Sequence, residues 1–254
     1  MKDLIARHFS RAARSYDAVT PVQQQSAEVL FALLEDFVPH AARPTLLDVG
    51  VGRGRLFRLA CEQRRRAGKQ NWQLHGIDFA PQMLAEVEKL WPESVLHCVD
   101  AEAYDYKADS FDLIVSNFAL QWCEAPVSLL LCLYAALRRG GRLAVSFPLH
   151  GSFRSLARRL RECSGEELPI YPLPKKENMT CLREQLPGVA LTERDFVVEY
   201  SSAYAALLAI KRAGAQTVAS DAPRLSYAAL RALQKDSEPL VLDYRVLFVS
   251  VQKA

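Results

Sequence analysis

Two carboxylates bracket a glycine-rich turn in this chain. The segment Asp48-Val49-Gly50-Val51-Gly52-Arg53-Gly54 stands where a short apolar run gives way to a helical pattern, and Asp78 closes the next apolar run. Glycines at such a junction permit positive φ and let the backbone approach a ligand closely. In open α/β sheets a turn of this kind lies at the carboxyl ends of the strands, where ligands bind. The glycines alone leave a dinucleotide and a methyl-donor nucleotide level. Asp78 stands where a carboxylate can accept hydrogen bonds from both hydroxyls of a ribose. Asp48 directly precedes the glycines, and a carboxylate there attracts an ammonium or sulfonium and repels a pyrophosphate.

The elements that must position these residues follow from the apolar pattern. Helical spacing recurs at Leu4, Ile5, His8, Phe9 and Ala12, and again at Ala27, Leu30, Phe31 and Leu34, with Thr20-Pro21 between the two helices. Strands are predicted over residues 45–50, 72–79, 94–99, 111–117, 142–147, 189–200 and 244–251. Helices are predicted over 55–66, 81–90, 127–137, 203–212 and 226–233. Such alternation calls for a parallel sheet covered on both faces. Residues 150–187, with Pro169, Pro172 and Pro174 close together, read as an irregular insertion or lid. The chain is therefore expected to form one domain over 1–254, with a helical cover over 1–40 and the lid over 150–187.

Taken in order, four segments resemble the class I S-adenosylmethionine-dependent methyltransferases: the glycine turn, then Gly76-Ile77-Asp78-Phe79-Ala80-Pro81-Gln82-Met83-Leu84, Val99-Asp100-Ala101-Glu102 and Phe111-Asp112-Leu113-Ile114-Val115-Ser116-Asn117. Val51 and Arg53 depart from the usual turn, but all three glycines remain. The resemblance implies a Rossmann-like α/β fold, a seven-stranded, mostly parallel sheet with its last strand antiparallel. It also implies S-adenosyl-L-methionine as cofactor and S-adenosyl-L-homocysteine as product. By position, Asp48 with Gly50, Gly52 and Gly54 would hold the methionine end, and Asp78 the ribose. Phe79 and Met83 would pack on the adenine, Asp100 and Ala101 would meet its edge, and Asn117 and Phe118 would floor the site near the methyl group.

A narrower likeness runs nearly the whole length. Phe9-Ser10-Arg11-Ala12-Ala13-Arg14-Ser15-Tyr16 with Gln23-Gln24-Gln25 is similar to the biotin-pathway malonyl-acyl-carrier-protein O-methyltransferase family. So are Ser116 to Cys123, Gly151-Ser152-Phe153, Leu208 to Ala215 and Tyr244 to Phe248. This likeness implies an enzyme that esterifies the free carboxylate of a malonyl group on an acyl-carrier protein or coenzyme A, early in biotin synthesis. A carboxylate is ionised at neutral pH, so no general base is needed. Proximity and exclusion of water would supply most of the acceleration. Lys211 and Arg212 are the candidate clamp for the acceptor carboxylate. Tyr16 would cover the cofactor and donate a hydrogen bond near the methyl, and Gln121 and Trp122 would wall the acceptor pocket.

The bulk numbers bound the alternatives. The 254 residues are half hydrophobic, enough for a sizeable core, and a net charge of +3 is too mild to argue for nucleic acid as a partner. No apolar run is long enough to span a bilayer, so no membrane partner is expected. The Arg-rich N-terminus would fit an organellar presequence but reads as a first structural helix. Six scattered cysteines lack metal-ligand or redox spacing, so no metal is expected and reduced thiols point to a cytoplasmic location. Because carrier proteins are acidic, a basic docking face is expected, with Arg154, Arg158, Arg159 and Arg161 the leading group and the runs at 138–142 and 64–66 behind it. Rival readings are a methyltransferase for another small carboxylic acid, such as an aconitate-like one, and a respiratory-complex assembly protein of the same fold. An NAD-dependent oxidoreductase is disfavoured by Asp48 and the antiparallel-looking final strand.

Overall fold

The computed structural model describes residues 2–13, 16–39, 41–69, 72–170, 172–213 and 225–254. Of the motifs above, Arg14, Ser15, Gly214 and Ala215 lie outside the described residues.

Two helices, α1 (Lys2–Ala12) and α2 (Pro21–Ala32), precede the sheet. Then β1 (Thr45–Val49), α3 (Arg55–Arg66), β2 (Gln73–Asp78), α4 (Pro81–Leu90), β3 (Val95–Cys98), β4 (Phe111–Asn117), α5 (Pro126–Ala136) and β5 (Leu137–Pro148) alternate along the chain. After β5 come α6 (Arg154–Ser164), the short α7 (Leu182–Gln185), β6 (Ala190–Tyr200), α8 (Ala203–Arg212), α9 (Tyr227–Lys235) and β7 (Leu240–Gln252). The strands form one sheet in the order β3-β2-β1-β4-β5-β7-β6. Strands β1 to β5 pair in parallel, while β7 runs antiparallel to both β5 and β6.

Burial explains the order. All five residues of β1 are buried, as are six of the seven in β4, as expected of strands covered on both faces. Leu46 and Leu113 enter one apolar core with α2 and α3; Leu47 and Ile114 enter the other with α5. β6 closes one edge and alternates partly buried with exposed positions, so only one of its faces is covered. The strand order reverses between β1 and β4. That is the switch point at whose carboxyl side open α/β sheets bind ligands, and the glycine turn leaves β1 there.

The segment expected to be an irregular lid contains a regular helix. On α6, Leu156 and Leu160 stand one turn apart and are fully buried against Ala206 and Ile210 of α8 and Ala229 and Leu233 of α9. The arginines between them mask that stripe in the sequence. Those arginines also fail to make a bare cationic face. Arg154 pairs with Asp243, Arg158 with Glu162, Arg159 with Asp236 and Arg161 with Glu167. The predicted fifth strand starts earlier than expected, at Leu137, because Gly140-Gly141 continues it. A Cβ on Gly141 would stand 2.8 Å from the Arg138 carbonyl oxygen and 3.0 Å from that of Asp112, so only glycine lets the strands close there.

Candidate active site

The turn after β1 is built by backbone geometry that glycine alone tolerates well. Gly50, Gly52 and Gly54 adopt φ of 74°, 53° and 76°. The Gly50 and Val51 amides donate to the Ile77 carbonyl of β2, at 2.8 and 3.0 Å, which ties the turn to the neighbouring strand. Asp78 then closes the loop from the other side. Its carboxylate accepts from the Gly52 N–H at 2.9 Å and from the Ala80 N–H at 2.8 Å, one bond to each oxygen. Each oxygen keeps room for a further donor. Burial raises the Asp78 pKa to about 6 in spite of those bonds.

Asp48 is in a different state. It is 1% exposed, and neither carboxylate oxygen has a hydrogen-bond partner among the described residues. Burial, and then the charge of Asp78, hold its pKa well above the usual carboxylate range. An orphaned buried carboxylate is costly unless a ligand completes it. The residues therefore fit a ligand that brings a cation to Asp48 and hydroxyls to Asp78.

A cavity of about 630 Å³ lies over this turn, lined by Asp48, Gly50, Gly52, Asp78, Phe79, Met83, Asn117 and Phe118 among others. Next to it is a slot of about 420 Å³ lined by Phe79, Asp100, Ala101, Lys2 and Ile5. The two share Gly50, Asp78, Phe79, Ala119 and Trp122. A third cavity, of about 660 Å³, is lined mainly by apolar and aromatic side chains and shares Phe9, Tyr16, Gln23, Phe118 and Trp122 with the first.

Residues 47–145 match the family model described as a methyltransferase domain. A malonyl-[acyl-carrier protein] O-methyltransferase of Marinomonas sp. is 28% identical over 99% of this chain and 94% of its own. One from Alcanivorax borkumensis is 27% identical over 100% of this chain and 87% of its own. Among solved structures, a Haemonchus contortus phosphoethanolamine N-methyltransferase in complex with S-adenosyl-L-methionine superposes with a TM-score of 0.56. It is 19% identical, with 96% of this chain and 57% of that one covered, a likeness of fold. The chain carries a methyltransferase domain over residues 47–145 and has the fold of the S-adenosylmethionine-dependent methyltransferases it resembles.

Within this methyltransferase, most residues singled out from sequence come together. Tyr16 stands in a short 3-10 turn between the first and third cavities, edge-on to Phe9 at 6.2 Å. Asn117 reaches the cofactor cavity with its side chain already engaged. Its Nδ2 donates to the Gln23 carbonyl at 2.9 Å, and its Oδ1 accepts from the Ser146 hydroxyl at 2.7 Å. Phe118 follows with φ of 57°, held by its N–H to the Ser146 carbonyl at 2.8 Å. Gln121, 5% exposed, donates to the Phe118 carbonyl at 2.8 Å, and Trp122 touches all three cavities. Lys211 and Arg212 are not brought in. Both are exposed, and α8 presents Ala209 and Ile210 to the third cavity instead.

Sequence reasoning missed the roof. Helix α1 contributes Lys2, Ile5 and Phe9, and Lys2 donates to Asp100 and Glu102, each at 2.5 Å. Glu102 also accepts the Glu124 and Ala125 amides, at 2.9 and 2.6 Å, ahead of α5. Nothing local in the sequence links Lys2 to residues about a hundred positions away.

Proposed function

We propose that this enzyme methylates the free carboxylate of a malonyl thioester on an acyl-carrier protein, giving the methyl ester needed early in biotin synthesis. The observation that carries this reading is full-length similarity to enzymes bearing that name, joined to a second, apolar cavity that shares walls with the one over the glycine turn. S-adenosylmethionine supplies, when bound, a methyl group on a positive sulfur.

The chain's own residues bind and orient. Asp48 and the glycine backbone hold the methionine end, and Asp78 takes the ribose hydroxyls. Phe79 and Met83 pack on the adenine, with Asp100 and Ala101 at its edge. Asn117 and Phe118 floor the transfer site, and Tyr16, Gln121 and Trp122 separate it from bulk water. Holding oxygen and methyl in line and dry accounts for the acceleration without an acid or base. A free polyacid is a poorer fit, because no cation lines the third cavity among the described residues.

Cofactor affinity should fall in acid. Asp78 accepts ribose hydroxyls as a carboxylate, and in the free protein it takes up a proton near pH 6. Below that pH the dissociation constant should rise at least about tenfold per pH unit, because protonation of Asp48, whose pKa burial also raises, weakens binding of the ligand cation in the same direction. Calorimetric titration from pH 5 to 8 checks this; a flat profile would remove Asp78 from the ribose site.

The reading itself is tested by incubating the protein with S-adenosylmethionine and malonyl-carrier protein, malonyl-pantetheine or free malonate. Mass spectrometry should find one added methyl on the malonyl thioesters and far less on the free acid. The gene should also restore biotin synthesis to cells lacking their own malonyl methyltransferase. Methylation of a different acid, with malonyl thioesters untouched, would overturn it.

A further inference from the structure

The third cavity poses a problem for a carboxylate substrate, since it offers no charge of either sign among its described lining residues. What it offers is phenols. Tyr16, Tyr200 and Tyr244 all line it, and the hydroxyl of Tyr244 is close enough to those of Tyr200 and Tyr16 to feel both electrostatically. None of the three hydroxyls is engaged in a hydrogen bond with another described group, while Asn117, Ser146 and the amide nitrogen of Gln121 are; the buried Oε1 of Gln121, an acceptor only, has no partner among the described residues. Burial pushes the Tyr16 phenol up to about 12 and raises Tyr200 and Tyr244 as well, so all three remain donors at neutral pH.

Tyr244 is held by an unusual device. Its ring sits between Phe118, with centroids 6.3 Å apart, and Phe153, at 4.7 Å. Both phenylalanines adopt the left-handed backbone conformation, at φ of 57° and 64°, and they share it with only one other non-glycine among the described residues, Asp109. A bulky residue there is strained, and such strain persists where surrounding bonds over-determine it. Here the Phe118 N–H donates to Ser146 at 2.8 Å and the Phe153 N–H to Asp243 at 2.7 Å. Both rings line the third cavity, so the strain fixes the wall and the phenol between them.

We propose that the acceptor carboxylate is held by the uncharged hydroxyls of Tyr16, Tyr200 and Tyr244, with Phe118 and Phe153 positioning Tyr244, and not by a cationic clamp. The proposal rests on the acceptor being a carboxylate, as argued above. In the transfer a carboxylate lone pair forms the new O–CH₃ bond, and the S–CH₃ electron pair returns to sulfur. A negative and a positive charge disappear together, giving a neutral ester and a neutral thioether with no proton moved. A fixed cation would stabilise the starting carboxylate more than the half-neutralised transition state. Neutral donors in an apolar wall orient the oxygen and leave its attraction to the sulfonium unscreened.

The test compares Tyr244→Phe and Tyr200→Phe with the double variant Lys211→Met/Arg212→Met, using malonyl-pantetheine as acceptor. Tyr244→Phe should lower kcat/KM by about 10- to 100-fold, the range for losing a hydrogen bond to a charged group. It should weaken binding of malonyl-pantetheine to the S-adenosylhomocysteine complex in parallel, leaving the S-adenosylhomocysteine dissociation constant within about twofold. Phenylalanine keeps the ring, and thermal melting verifies the fold. The Lys211/Arg212 variant should stay within about threefold of the parent on this small acceptor. A loss beyond about 100-fold in that variant, or unchanged kinetics in both tyrosine variants, would overturn the proposal. If the parent enzyme ignores malonyl thioesters but esterifies another carboxylate, the substrate reading fails alone, and the same three variants on that acid judge the clamp. If it esterifies no carboxylate, both fail.

Discussion

Replacing Asp48 by asparagine will remove most cofactor affinity and make the free protein more stable. The side chain is 1% exposed, with no partner for either oxygen, and burial together with Asp78 opposes its ionisation. A carboxyl whose folded pKa lies above its unfolded value binds its proton more tightly when folded. The free fold therefore loses stability as pH rises through the interval between those two values, and at pH 7 the penalty is present. Asp78 behaves the same way between its ordinary 3.8 and about 6. The Asp48→Asn variant carries no such penalty at this position and has no native hydrogen bond to lose. Its melting temperature should rise by about 2–4 °C for each kcal/mol relieved. A ligand cation reverses the balance, since it pairs with the carboxylate and cannot pair with an amide. Losing one partner of a buried charge pair costs about 2–5 kcal/mol, which is about 30-fold to several thousand-fold in the dissociation constant. Calorimetry with S-adenosylmethionine and paired melting curves measure both halves. Affinity retained within about threefold would show that Asp48 does not face the cation.

The second large effect separates two glycines of the same turn. An alanine Cβ at Gly50 would stand 2.3 Å from the Ala119 Cβ, and φ there is 74°. Ala119 leads directly into the turn that carries Gln121 and Trp122, so the clash moves the walls of both cavities. Overpacking and left-handed strain together cost about 2–4 kcal/mol, which the melting temperature of Gly50→Ala will register. At Gly52 the nearest atom to such a Cβ is the Gly50 carbonyl oxygen, 3.9 Å away. Gly52→Ala therefore costs the free protein only the strain of φ at 53°, about 1 kcal/mol. In the proposed binding mode the cofactor approaches the backbone in front of Gly52, so this variant should fold and fail to bind. Normal binding by Gly52→Ala would place the cofactor elsewhere along the turn.

The two variants also mark where the sequence is legible. Strands β1 and β4 are readable because fully buried parallel strands appear as unbroken apolar runs. The glycine turn and Asp78 are readable because strand ends are local features, and the resemblance that points to the cofactor rests on the same short segments. That Lys211 and Arg212, expected to clamp the acceptor, do not line the third cavity has a local reason as well. Helix α8 carries apolar residues on most of its circumference, so its buried face of Ala203, Ala206 and Ile210 cannot be told from the sequence, and Lys211 and Arg212 fall on the outer side.

By itself, then, the sequence determined what is set within one strand, one helix or one turn: the alternating α/β order, the carboxylates flanking the glycines, and the resemblance to methyltransferases. Tertiary structure alone decided what depends on residues far apart in the chain. It brought Lys2 over Asp100, tied Asn117 to the backbone of Gln23, turned α6 inward and set Tyr16, Tyr200 and Tyr244 around one cavity. The physical reason is that apolar periodicity specifies which face of an element is buried, whereas the partner across that face is selected by packing between elements.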